Sequence, residues 1–124
     1  MKTKFNIKNI GFIGLGVMGM PMCINLSKNK KFNVSGFDKN ENKNKMLAKL
    51  GLQTTLNPVE IYQKNDLVIT CLPGGKYVEK LYFQDKMISF VRENQIIIDM
   101  STSQPDLMTK INTKIKDKKS SFAD

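Results

Sequence analysis

The sequence predicts an α/β protein built on a doubly wound parallel sheet. Three observations carry that expectation. Short apolar runs alternate with segments whose apolar residues recur at helical spacing, and no repeat, linker or low-complexity stretch interrupts the series. Residues 14–19 read Gly-Leu-Gly-Val-Met-Gly, a GxGxxG placed between a strand-like run and a helix-like one. Asp38 stands nineteen positions beyond Gly19, where the second strand-like run stops.

Each element has its own signal. Residues 8–14, with Ile10, Phe12 and Ile13, form an apolar run closed by glycine, as a parallel strand buried on both faces would be. A helix starts at Val17, with Met18, Met22, Cys23 and Leu26 on its apolar side and Pro21 tolerated in the first turn. Residues 32–37 alternate as a second strand. Residues 39–50 form a polar helix with Met46, Leu47 and Leu50 on one face and Gly51 at its C-terminal end. Residues 53–55 make a short third strand, Asn57-Pro58 opens a small helix ending near Lys64, and residues 66–72 are the fourth strand. After the turn at Pro73, Gly74 and Gly75, a helix over residues 77–83 turns Val78, Leu81 and Tyr82 inward. Ile96, Ile97 and Ile98 form a fifth strand ending at Asp99. The last helix runs from Ser103, its N-cap, to about Lys118, with Pro105 in the first turn, Asp106 completing a capping box, and Leu107, Met108, Ile111 and Ile115 as its apolar stripe. Residues 120–124 open a sixth strand. The expectation is therefore one Rossmann-like domain over residues 1–124, cut at the start of that strand.

Composition narrows the chemistry. The chain of 124 residues is 40% hydrophobic, enough for one packed core. Histidine is absent, which removes Ser-His-Asp triads, Cys-His pairs and HExxH metal sites. Cys23 and Cys71 lie far apart with no metal-ligand spacing, so no zinc site and no disulfide framework is expected, and a cytoplasmic setting fits. The formal charge of +9 comes from scattered lysines, and Arg92 is the single arginine, so nucleic acid is not the expected partner. Lys2, Lys4 and Lys8 before the uncharged residues 9–27 imitate a targeting signal, but Gly11, Gly14, Gly16, Gly19 and Pro21 break that stretch, so no membrane segment is expected.

The motif supplies the function. In a strand–turn–helix unit Gly14 makes the tight turn, Gly16 lets backbone approach a pyrophosphate, and Gly19 lets helix pack on strand. The diphosphate then meets the amides and positive dipole end of the first helix. Asp38 can accept from both adenosine ribose hydroxyls and would repel a 2′-phosphate, which favours NAD over NADP; Lys39 and Lys43 soften that preference. An alternative role for Asp38 is to cap the second helix. Leu72 and Pro73 close strand four at the same sheet edge, as a border for the adenosine side or as a simple strand exit. Ser101, Thr102 and Ser103 leave strand five there with hydroxyls and amides suited to a substrate carboxylate, although Ser103 reads more simply as a helix cap.

The run from Ile10 to Leu26, matching GFIGLGxMGxPMxxNL, together with Asp66-Leu-Val-Ile-Thr-Cys-Leu-Pro and Asp99-Met-Ser-Thr-Ser-Gln-Pro, resembles the 3-hydroxyisobutyrate dehydrogenase family within the 6-phosphogluconate dehydrogenase superfamily. The resemblance covers essentially the whole chain. It implies that Leu15, Gly16, Val17 and Met18 line the pyrophosphate, Asp38 the ribose, Leu72 and Pro73 the adenosine side, and Thr102 the nicotinamide end, with Ser101 meeting substrate. It implies reversible oxidation of a small 3-hydroxy acid, with hydride passing to the nicotinamide and a lysine as general acid or base. Ser121-Phe-Ala-Asp124 resembles the opening of the family's FxDAPVSGG segment. By that likeness the catalytic lysine and the all-helical C-terminal domain, on which homo-oligomers depend, lie outside these residues. The chain alone is then expected to be inactive. The competing expectation is a noncatalytic dinucleotide-binding or interaction module.

Overall fold

A computed structural model describes residues 6–124. Lys2 and Lys4, part of the signal-like basic run, lie outside the described residues. The architecture is a single parallel sheet of six strands in the order β3-β2-β1-β4-β5-β6, with β1 Asn9–Ile13, β2 Asn33–Phe37, β3 Gln53–Thr54, β4 Leu67–Thr70, β5 Ile96–Asp99 and β6 Ser121–Ala123. The chain winds outward from β1 in one direction through β2 and β3, then returns and winds in the other through β4, β5 and β6. A topological switch therefore falls between β1 and β4, and open α/β sheets present their ligand crevice at the carboxyl edge of such a point. The register aligns that edge: Ile13 pairs with Phe37 and with Thr70, and Thr70 pairs with Asp99.

Strand alternation feeds two cores. Ile10, Phe12, Leu67 and Ile69 point to one face, where α1 (Gly19–Ser27) and α2 (Glu41–Lys49) bring Cys23 and Leu47. Ile13, Val68 and Ile97 point to the other. There α3 (Pro58–Lys64) supplies Ile61 and Tyr62, α4 (Gly75–Glu79) supplies Val78, and α5 (Pro105–Asp117) supplies Met108, Ile111 and Ile115. Both faces of the central strands are covered, which is why their sequences read as continuous apolar runs.

Several expectations need correction. The first helix begins at Gly19, not Val17, and Met18 is exposed beside the sheet edge because Gly16 to Met18 form the turn that enters the helix. In α2 only Leu47 of the expected face is buried; Met46 and Leu50 are exposed, and Asn44 takes the buried position one turn before Leu47. Ser103 is not a cap. Gln104 occupies the N-cap position of α5 without a side-chain bond, and the Ser103 hydroxyl is buried with no partner among the described residues. The helix begun at α4 does not continue regularly: residues 80–84 widen into a π-helical turn closed by the Asp85 amide on the Lys80 carbonyl, and a 3₁₀ turn at Met87–Phe90 follows. Val78, Leu81 and Tyr82 nevertheless face inward as the spacing predicts.

Arg92, the one arginine, has a structural duty. Its Nε and Nη2 donate to the carbonyls of Tyr62 and Asn65 at 3.0 and 2.6 Å, and Gln95 Nε2 donates to the same two oxygens at 2.7 Å each. These bonds satisfy the Tyr62 carbonyl in the last turn of α3 and that of its C-cap residue Asn65, where no glycine stands.

Candidate dinucleotide cleft

The loops leaving β1, β2, β4 and β5 converge on one cleft of about 820 Å³ at the carboxyl edge of the sheet. Of the residues that the sequence nominates, Gly14, Gly16, Val17, Met18, Gly19, Asp38, Leu72, Pro73, Ser101 and Thr102 line it. Leu15 does not; its side chain is buried in the core over α1 and α2, and only its backbone belongs to the turn.

The three glycines have different reasons to be glycine. Gly14 adopts φ +103°, and a Cβ there would lie 2.2 Å from the Cys71 carbonyl oxygen, so both conformation and contact with β4's exit demand it. A Cβ on Gly19 would come within 2.0 Å of the Gly14 carbonyl oxygen, so this glycine lets α1 rest on the end of β1. Gly16 is unlike either. Nothing of the protein lies within 4 Å of the place its Cβ would take, and it opens directly into the cleft. Among the described residues no acceptor takes the amides of Gly16, Val17, Met18 or Gly19, whereas the Gly14 and Leu15 amides are bound to Phe37 O and Asp38 Oδ2. Four donors at a helix start thus belong to residues of the cleft wall.

Asp38 is fixed from three sides. Oδ2 accepts from the Leu15 amide at 2.7 Å and Oδ1 from the Asn40 amide at 2.8 Å. The buried Asn44 side chain holds the Asp38 backbone at both ends, accepting from its N–H at 2.8 Å and donating to its carbonyl at 2.9 Å. The cap of α2 is Asn40, whose side chain accepts from the Asn42 amide, so Asp38 is free of that duty. Asn44 escaped the sequence reading. Its signal was the i, i+3 relation to Leu47, an amide on the buried side of an otherwise polar helix.

At the other end Ser101 Oγ accepts from the Leu72 amide at 2.7 Å, which ties the exits of β4 and β5 together. Cys71 lines the cleft between them; burial, then the charge of Asp99, raises its thiol above the usual range. Tyr77, Lys39 and Lys80 also line the cleft, and Lys80 is held by Asp85 at 3.0 and 3.2 Å. Among the described residues no group of three or more His, Cys, Asp or Glu could hold a metal ion, and no helix is long and apolar enough to cross a membrane.

The chain is 38% identical over its full length to the mitochondrial 3-hydroxyisobutyrate dehydrogenase of Drosophila melanogaster, of which it spans 38%. It is 30% identical, over 90% of its length, to an NAD-dependent L-serine dehydrogenase of Pseudomonas aeruginosa, again spanning 38% of that protein. In structure it resembles the Mycobacterium tuberculosis 3-hydroxyisobutyrate dehydrogenase determined with L-serine, at a TM-score of 0.84 and 27% identity, covering 94% of this chain and 39% of that one. The family model described as the NAD binding domain of 6-phosphogluconate dehydrogenase matches residues 9–124. The cleft therefore belongs to a chain that is a member of this family of NAD-binding domains, on the side of its 3-hydroxyisobutyrate dehydrogenase-like relatives.

Proposed function

We propose that the cleft binds NAD in preference to NADP and forms the coenzyme half of a 3-hydroxyacid dehydrogenase. The observation that carries this reading is the set of four amides at Gly16 to Gly19 without an acceptor among the described residues, at a glycine whose missing side chain the protein's own packing does not require. A diphosphate is the ligand whose geometry and charge such a helix start complements. Asp38 would take the adenosine ribose. Each of its oxygens already accepts one amide, and each retains a lone pair for a hydroxyl, so a vicinal diol fits where a phosphate dianion would be repelled. Lys39 lies on the same wall and narrows the discrimination.

When bound, the dinucleotide supplies hydride transfer; the chain's residues bind and orient. Because Ser101 Oγ accepts from Leu72, its own proton is free to donate to a substrate carboxylate, with Thr102 beside it at the nicotinamide end. The lysines lining the cleft are Lys39, adjoining Asp38, and Lys80, paired with Asp85, so neither is placed as a general base at Ser101. The proposed partner is accordingly a small 3-hydroxy acid and not nucleic acid. On this reading turnover and self-association need more than the coenzyme half, and these 124 residues alone would oxidise substrate negligibly. The free thiols at Cys23 and Cys71 suit a reducing compartment, for which we propose the cytoplasm.

Charge reversal tests the reading. Calorimetric titration of Asp38→Arg should weaken NADH binding and raise the NADPH/NADH affinity ratio by at least about tenfold, or 1.4 kcal/mol. An unchanged coenzyme ratio would remove Asp38 from the ribose.

A further inference from the structure

Asp99 ends β5, immediately before Met100, Ser101 and Thr102 of the cleft wall, and is 1% exposed. Its Oδ1 accepts from Thr70 Oγ1 at 2.7 Å and from the Ser101 amide at 3.2 Å, while Oδ2 is buried with no partner among the described residues. The single ion pair among the described residues joins Lys80 to Asp85, so no cation neutralises Asp99. Burying such a carboxylate is costly. An asparagine in the same place could accept both of these hydrogen bonds without that cost, so the charge itself asks for a purpose beyond shaping the loop.

Asp99 lies one residue layer behind the cleft wall. Ser101 and Thr102 follow Asp99 directly and line the cleft, and Cys71, on the wall beside Leu72, has its thiol raised by burial and then by Asp99. A buried, uncompensated negative charge favours a cation over a neutral group at that end of the cavity. On the reading that a nicotinamide sits at Thr102, the two redox states differ in this respect: the oxidised ring is cationic, and after accepting a hydride it is neutral.

We propose that Asp99 sets the balance between oxidised and reduced dinucleotide, holding NAD+ more tightly relative to NADH than the cleft would without it. This rests on the dinucleotide reading and adds to it a residue that touches neither phosphate nor ribose. The charge acts through one layer of side chains, where the effective dielectric falls between about 20 and 80, so its removal changes the affinity ratio on the order of three- to thirtyfold. For a two-electron couple a tenfold change raises the potential of the bound pair by about 30 mV.

The test is the ratio Kd(NAD+)/Kd(NADH) of the 124-residue chain, measured by NADH fluorescence and NAD+ competition, for the wild type, Asp99→Asn and Thr70→Val. Asp99→Asn should raise the ratio at least threefold, while Thr70→Val, which keeps the charge and removes one hydrogen bond, should move it less than twofold. If Asp99→Asn does not fold by circular dichroism, Asp99→Ser takes its place. Equal weakening of both dinucleotides in a folded variant would overturn the proposal and leave Asp99 a loop-positioning residue. Binding of neither dinucleotide by the wild type would overturn the dinucleotide reading as well; binding of both with an unmoved ratio would overturn only this inference.

Discussion

Gly16 and Gly19, three residues apart, should fail in opposite ways when each is given a methyl group. At Gly19 the new Cβ meets the Gly14 carbonyl oxygen at 2.0 Å and its carbon at 3.0 Å, both backbone atoms that cannot swing away. Overpacking of that kind costs about 3 kcal/mol, and alanine returns about 1 kcal/mol of helix propensity in the first turn of α1. The net loss of about 2 kcal/mol corresponds to a melting temperature lower by about 6–12 °C in a domain of this size. At Gly16 no atom stands within 4 Å and φ is not in the left-handed region, so alanine leaves stability unchanged or raises it by about 0.4–1 kcal/mol. Its methyl group instead occupies the approach to the four free amides, and NADH affinity should drop at least about tenfold. Thermal melts and NADH titrations of Gly16→Ala and Gly19→Ala decide the matter. A Gly16→Ala protein that binds NADH as the wild type does, or a Gly19→Ala protein that melts no earlier, would refute the separation of roles.

Further outcomes follow from the same geometry. Gln95→Leu, which strips a 1% exposed amide from the carbonyls of Tyr62 and Asn65 and from the Arg92 amide, should destabilise by about 1–3 kcal/mol in denaturant melts, and Arg92→Ala by less, because Gln95 still serves both oxygens. Ile111→Ala, at a fully buried position of α5, should cost about 2–5 kcal/mol without altering the NAD+/NADH ratio. Burial pushes the Cys23 thiol up to about 12 from 9.0, so its neutral form stabilises the fold fully below pH 9 and that contribution is lost as pH rises toward 12. Compared with Cys23→Ala, the wild type should therefore lose about 1.4 kcal/mol more per pH unit across that window. At pH 8 a thiol reagent should spare Cys23 and modify Cys71 slowly, and NADH should slow the reaction at Cys71 further, since that residue lines the cleft.

The fold was legible where burial and local pattern agree. Ile10, Phe12 and Ile13, Leu67 to Ile69, and Ile96 to Ile98 are apolar on both sides because both sides of their strands are covered, and Gly14, Pro73 and Asp99 mark their exits. The GxGxxG and Asp38 mark the switch point because the turn, the helix start and the second strand's end are each a local requirement on residue type. Features that depend on tertiary partners were not legible. Met46 and Leu50 match a helical stripe as well as Leu47 does, and the choice of Asn44 over them comes from the Asp38 backbone, six residues away, which needs both a donor and an acceptor. Ser103 has the chemistry of an N-cap, yet the chain enters α5 through an extended Gln104, which leaves that hydroxyl buried with no partner among the described residues. The π-helical turn at residues 80–84 has no composition signal. It brings Lys80 and Asp85 together, although residues five apart on a regular α-helix would point about 140° away from each other.

A diphosphate landing on the start of α1 would be sensed first by the amides there. A nitrogen-15 spectrum of the chain, recorded while NADH is added, reports on each amide separately. Binding at this helix start should give saturable, one-to-one shifts largest at Gly16, Val17, Met18 and Gly19, with a second group at Asp38 and Asn40. Shifts confined to other surfaces, or none at millimolar NADH, would contradict it.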